Sequence, residues 1–202
     1  MTQPQLCPLK LMTAIPDAKR ALRKQVRAEL KRMAPEERAA ASARARAALA
    51  AQPLWKGAQS VLFFAPLPEE LDVWPLLAEA LAAGKKVALP CFVAETRTYV
   101  ACQIQNPETD LEVGHFGIRE PGRQCSRLSS NRLDLILVPG VAFDLQGRRL
   151  GRGKGYYDAL LTALNGTACG VAFDQQIVTE IPVEPHDVRV NYLLTPTRWV
   201  VL

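Results

Sequence analysis

Residues 134–161 read DLILVPGVAFDLQGRRLGRGKGYYDALL. The first five are an unbroken Leu, Ile and Val run after Asp134, and the last eight have helix-compatible spacing. Between them lies a loop rich in glycine and cations. A buried strand that feeds a helix through such a loop is a natural anion site, because glycines let backbone N–H groups approach and the helix N-terminus adds partial positive charge. Arg149, Arg152 and Lys154 supply mobile positive charge around the loop, and Asp158, one turn into the helix, is placed where a carboxylate can hold a metal ion bridging phosphates. The stretch departs from both common nucleotide fingerprints: it has no Gly-x4-Gly-Lys-Ser/Thr, and Gly151, Gly153 and Gly155 are spaced G-x-G-x-G.

Working outward, apolar runs alternate with helical patterns on both sides. Asp17, after Pro16, is read as the N-cap of a helix toward Met33 with Leu22, Val26, Leu30 and Met33 as its stripe, and residues 1–16 as a loose extension. Lys19, Arg23 and Arg27 recur every four residues on one line beside that stripe. They form either a solvated basic face or a clamp for a phosphate chain. Pro35, Glu36 and Glu37 open a second helix to about Ala51. Residues 60–65 read as a strand, followed by a turn with Glu70 and Asp72 and a helix capped by Asp72 and closed by Gly84. Strands are expected at 85–90, 98–104, 168–173 and 192–195, with a turn-rich segment, 106–130, able to carry substrate contacts. Several of these runs are too continuous for a one-sided sheet. The pattern predicts one α/β domain over 17–202, an open, mostly parallel sheet flanked by helices in Rossmann-like layers, with the cleft at the carboxyl ends of the strands.

Composition narrows the function classes. The chain has 202 residues, about half apolar, and a net charge of +5. From Lys10 to Arg46 eleven Lys/Arg face four Asp/Glu, a surplus of +7, so the remainder sums to −2. The basicity is therefore local, suited to a polyanionic small molecule or a nucleic acid. No apolar run approaches the roughly 18 residues that span a bilayer, and the first residues lack a secretory core, so a cytoplasmic location is expected. Five scattered cysteines without a C-x-x-C pair read as reduced thiols, and two histidines, His115 and His186, argue against a zinc site.

The combined residues resemble the 5-formyltetrahydrofolate cyclo-ligase (5,10-methenyltetrahydrofolate synthetase) family from about Ala18 to Thr195. The most specific block is RLGRGKGYYD at 149–158. AKRALR at 18–23, EELD at 69–72, GIREP at 117–121, VPGVAFD before the loop and PHD at 185–187 support it. The resemblance implies ATP- and Mg2+-dependent closure of 5-formyltetrahydrofolate to 5,10-methenyltetrahydrofolate, with release of ADP and phosphate. It implies that Lys19, Arg23, Arg149, Gly151, Arg152, Gly153, Lys154, Gly155, Tyr156 and Tyr157 meet ATP. Glu70, with Arg152, Gly153, Lys154, Gly155 and Tyr156, would meet the folate, Arg152 and Lys154 would serve the chemical step, and Asp158 with Asp187 would hold magnesium. Asn191 stands where many relatives carry an acidic residue, which bears on the charge near that metal. The partners implied are ATP and 5-formyltetrahydrofolate, polyglutamylated or not, acting on a monomer without nucleic acid or membrane. Two other readings remain open from the residues themselves. One is a nucleotide- or nucleic-acid-binding regulator that keeps the phosphate loop without catalysis, and the other is a sugar-phosphate isomerase, which would need a general base and no ATP.

Overall fold

The computed structural model describes residues 8–114, 117–128 and 132–202, with residues 8–14 as backbone only. His115 and residues 1–7 of the expected extension lie outside the described residues.

Helix α1 runs Pro8–Lys31, so the extension and the cap predicted at Asp17 need correcting. A proline in a helix forfeits one backbone bond, yet its ring holds φ near the helical value, and Pro16 is accommodated inside the helix. Asp17 is exposed and accepts an ion pair from Arg20 at 2.9 Å, one turn on. The expected stripe holds: Val26, Leu30 and Met33 are buried and Leu22 packs against them. Helix α2 is Pro35–Ala50, opened by proline with Glu36 and Glu37 in its first turn, and a short α3, Pro53–Gly57, buries Trp55 edge-on to Phe63.

Strand β1 is Ser60–Leu62, shorter than predicted. Helix α4 spans Trp74–Ala82; Val73 occupies its N-cap, and Asp72 acts from one residue earlier by accepting the Trp74 N–H at 3.0 Å. Strands β2 (Lys86–Val93) and β3 (Thr98–Ile104) pair antiparallel. The turn-rich segment contains a short helix, α5 (Pro107–Asp110), and a hairpin of β4 (Leu111–Val113) and β5 (Arg119–Pro121). Strand β6 (Arg132–Pro139) carries the apolar run, and a small hairpin, β7 (Ala142–Phe143) with β8 (Arg149–Leu150), follows it. Helix α6 (Tyr156–Ala163), β9 (Asn165–Val171) and β10 (Tyr192–Leu194) come next. An unpredicted edge strand, β11 (Trp199–Val201), ends the described chain.

The seven-stranded sheet has the order β11-β10-β9-β6-β1-β2-β3, parallel from β10 through β2 and antiparallel at both edges. Both faces of β6 are buried, which explains its continuous Leu-Ile-Leu-Val run. Alternate residues divide between two cores. Leu135 and Leu137 pack with α1, α2 and α4, while Ile136 and Val138 pack with Leu160 and Leu161 of α6.

The chain leaves β1 toward β2 and β3, then returns to β6 on the other side of β1 and moves outward through β9 and β10. The direction reverses between β1 and β6, and in open α/β sheets the crevice at that reversal is where ligands bind. Phe143 anchors the loop above it. Its ring lies where a side chain on Gly170 would sit, 2.6 Å from the position of a β-carbon there.

Candidate active site

The loops leaving β1 and β6 frame a cavity of about 460 Å3. Phe64, Ala65, Leu67 and Glu70 come from the β1 side, Pro139 and Gly140 from the end of β6, and Gly151, Arg152 and residues 154–158 close it. An adjoining cavity of about 110 Å3 is lined by Lys19, Arg23, Glu184, His186 and Asp187. Arg149, Gly151, Gly155 and Asp158 line both, so the loop before α6 is their common wall. Gly153 and Gly155 have φ of 98° and 69°, a conformation that an L side chain resists, and Gly155 is the N-cap of α6.

All predicted site residues line one cavity or both. The basic line on α1 is a connected feature. Lys19 is buried and donates to Asp187 at 2.6 Å and Glu184 at 2.9 Å. Arg23 Nε donates to the Gly151 carbonyl at 2.8 Å, and Arg27, one turn on, faces the larger cavity. The line runs from one cavity to the other across the loop. Burial works to lower the Lys19 pKa, but the hydrogen bonds and charges of Asp187 and Glu184 outweigh it and raise the net value. Burial likewise works against ionisation of Asp187, and the Lys19 and Glu184 N–H bonds bring it below the ordinary carboxylate value.

Arg149 differs from the mobile cation expected. It sits in β8 and is buried, with Nη2 on Asp158 at 2.7 Å and its guanidinium 5.9 Å above the Tyr157 ring. The strand pairing of β7 with β8 draws its side chain inward. Arg152 is the exposed one, and it reaches across the crevice to Glu70 at 2.8 Å and Glu69 at 3.0 Å. Lys154 lines the larger cavity on the exposed part of the loop.

Tyr156 forms an aromatic cluster with Phe92 and Tyr99, with centroids 5.4 to 5.7 Å apart. Burial, with Glu120 nearby, pushes the Tyr99 phenol well above its ordinary value and keeps it neutral. Tyr99 and the buried Glu120 both line the larger cavity, yet sequence reading did not single them out. Tyr99 sat in a strand pattern, and Glu120 lay in the GIREP motif of a segment expected to carry substrate contacts without a role of its own.

Asp158 and Asp187 share the smaller cavity, each held by its own cation. Among the described residues, the group of three or more whose ligand atoms lie close enough to share an ion is Glu184, His186 and Asp187, within 4.8 Å of one another; Asp158 is not part of it. Glu184 was also missed, and its signal is its spacing of three residues from Asp187, which a tight turn folds back: the Glu184 N–H donates to Asp187 at 2.7 Å. Asn191 lines neither cavity. It exchanges hydrogen bonds with Ala168 of β9 and serves the sheet.

Known proteins resemble this chain over most of its length. A sequence profile of the 5-formyltetrahydrofolate cyclo-ligase family matches residues 15–196. The chain is 29% identical to the mouse 5-formyltetrahydrofolate cyclo-ligase over 188 residues, covering 88% of this chain and 93% of the relative. It is 33% identical to the Escherichia coli K12 enzyme of that name over 70% of this chain and 80% of the relative. The solution structure of Aquifex aeolicus 5,10-methenyltetrahydrofolate synthetase superposes with a TM-score of 0.81 at 36% identity, covering 91% and 92% of the two chains. The protein is therefore an enzyme, and it belongs to the 5-formyltetrahydrofolate cyclo-ligase family.

Proposed function

We propose that the protein closes 5-formyltetrahydrofolate to 5,10-methenyltetrahydrofolate at the expense of ATP, with magnesium, releasing ADP and phosphate. The observation that carries this is the shared wall: one glycine- and cation-rich loop separates a roomy, aromatic-lined cavity from a small charged one. Two reactants of different character can meet across it.

A formamide oxygen is a poor leaving group. In the proposed reaction that oxygen attacks the γ-phosphorus of ATP and ADP departs. N10 then attacks the activated carbon and loses its proton, and phosphate leaves carrying the former formyl oxygen. No side-chain nucleophile is needed, so positioning and charge neutralisation dominate. The larger cavity suits the folate. The carboxylate of Glu70 can accept the paired N–H donors of the pterin's amino-pyrimidine edge, and Tyr156 with Tyr99 offers flat walls. The smaller cavity, with Lys19 and Arg23, suits the phosphates, and Arg152 and Lys154 stand on the loop between them. Tyr157 lies beneath Arg149 and supports it from the folate side.

Asp158 and Asp187, with Glu184 beside the latter, fit magnesium because they are hard oxygen donors on a phosphate-sized cavity. When bound, the ion would neutralise phosphate charge. Lys19 and Arg149, which now balance these carboxylates, are also the cations proposed for ATP, so Mg2+ and nucleotide binding would exchange internal ion pairs for intermolecular ones.

The free cysteines fit a reducing, cytoplasmic setting, and among the described residues no helix is long and apolar enough to cross a membrane. The test is an anaerobic assay with magnesium, with and without ATP. Methenyl-folate absorbance should grow only with ATP, and purified protein that gives no such signal would sink the proposal.

A further inference from the structure

Arg152 is assigned to ATP as well as to the folate, and Glu70 to the pterin edge, yet the two side chains hold each other. Arg152 Nη2 and Nε both donate to Oε1 of Glu70, at 2.8 and 3.3 Å, and Nη2 also donates to Glu69 at 3.0 Å. The other Glu70 oxygen accepts the Leu67 N–H at 3.0 Å, so both carboxylate oxygens are engaged. The side chain of Glu70 is only 12% exposed, against 45% for Glu69 and 40% for Arg152. The contact joins the turn after β1 to the loop before α6 and so spans the crevice between the two halves of the sheet.

We propose that this Arg152–Glu69–Glu70 contact is a coupling catch, which makes folate and nucleotide each raise the other's affinity and keeps the phosphoryl-directed arginine off ATP until folate is bound. The proposal rests on the folate and ATP assignments above and adds Glu69 as a positioning residue. A pterin that takes Glu70 must displace the guanidinium from its less exposed partner. Arg152 is then left with Glu69 alone, an exposed pair of the kind that contributes little, and a phosphate can outcompete it. Conversely, a nucleotide that draws Arg152 away uncovers Glu70 for the pterin. Linkage makes the two effects equal in size.

The test is calorimetric titration of the wild-type protein with a magnesium-bound, non-hydrolysable ATP analogue, with and without saturating 5-formyltetrahydrofolate. Folate should tighten the analogue roughly 5- to 150-fold, the usual span of such coupling. Glu69→Gln should bind the analogue more tightly than wild type when folate is absent, show a smaller folate effect, and hydrolyse ATP faster without folate. Equal nucleotide affinity with and without folate in a wild-type protein that turns over would overturn the catch and leave the proposed reaction standing. Unchanged coupling in Glu69→Gln would do the same. Absence of turnover with both substrates would instead remove the functional reading and the catch with it.

Discussion

The two cavities meet at one loop and are built on different principles. The larger has aromatic walls from Phe64, Tyr99, Tyr156 and Tyr157, with charged side chains such as Glu70, Glu120 and Arg152 set around them. The smaller is a set of interlocked charges, with Lys19 between two carboxylates and Arg149 on a third. The first can recognise a flat molecule by shape and a few directed hydrogen bonds. The second recognises charge, and it is self-neutralised until a stronger anion and cation arrive. Losing a wall residue should therefore raise KM for one substrate, whereas losing a residue of the common loop should reach the chemical step.

The largest effects are expected at that common loop. Arg152→Ala and Lys154→Ala should each lower kcat about 100- to 1000-fold, the usual loss when a positioned charge donor to a transition state is removed. Steady-state kinetics with both substrates varied will check this; a change confined to one KM would break the distinction between loop and walls. Asp158→Asn should raise the magnesium concentration needed for half-maximal rate and also destabilise the fold. The variant leaves Arg149, which is 2% exposed at its side chain, without its charged partner, and breaking such a pair costs roughly 3 kcal/mol. Urea unfolding will measure it. Unchanged stability with altered magnesium dependence would assign Asp158 to the metal alone.

How far the site could be read from sequence follows the same division. Chemistry concentrated in consecutive residues was legible. The strand–loop–helix of 134–161 predicted β6, the glycine loop and α6, and the four-residue spacing of Lys19, Arg23 and Arg27 placed them on one line, now seen crossing both cavities. Chemistry assembled by topology was not. Tyr99 and Glu120 reach the cavity only because β3 is an edge strand beside β2 and a hairpin folds over it. The inward turn of Arg149 depends on a two-residue strand too short to leave a periodic signal. Pro16 misled because a proline is a strong boundary cue although α1 tolerates it. Strand β11 went unread because three residues after a turn carry too little pattern.

A smaller effect is expected in the aromatic wall. Tyr156→Leu removes ring contacts to Phe92 and Tyr99 at 5.7 and 5.5 Å and one flat face of the larger cavity. Stacking of this kind is worth about 1 kcal/mol beyond buried area, so KM for the folate should rise about 5- to 10-fold with kcat little changed. Titration of each substrate in turn sharpens the contrast, since KM for ATP should hardly move. A larger loss in kcat would place Tyr156 among the groups that meet the reacting atoms.

The smallest effect is a pH dependence confined to the charged cavity. Asp187 is held below the ordinary carboxylate value; burial opposes this, and the bonds from Lys19 and the Glu184 N–H prevail. A carboxylate depressed on folding contributes stability that is present above its unfolded pKa, near 4, and disappears as pH falls through the lower folded value. Lys19 is shifted upward, so its contribution is complete below its unfolded pKa, near 10.4, and fades only as pH rises through the folded value. Between those limits the pair should add on the order of 1 kcal/mol, the net worth of a typical protein hydrogen bond. Asp187→Asn should therefore lower stability at neutral pH and flatten its fall below pH 4, as read from urea midpoints across the acid range. Magnesium and nucleotide together should flatten the same curve in the wild type, because they take Asp187 and Lys19 into other partnerships. A curve that stays steep in Asp187→Asn would mean that the acid dependence arises outside the small cavity.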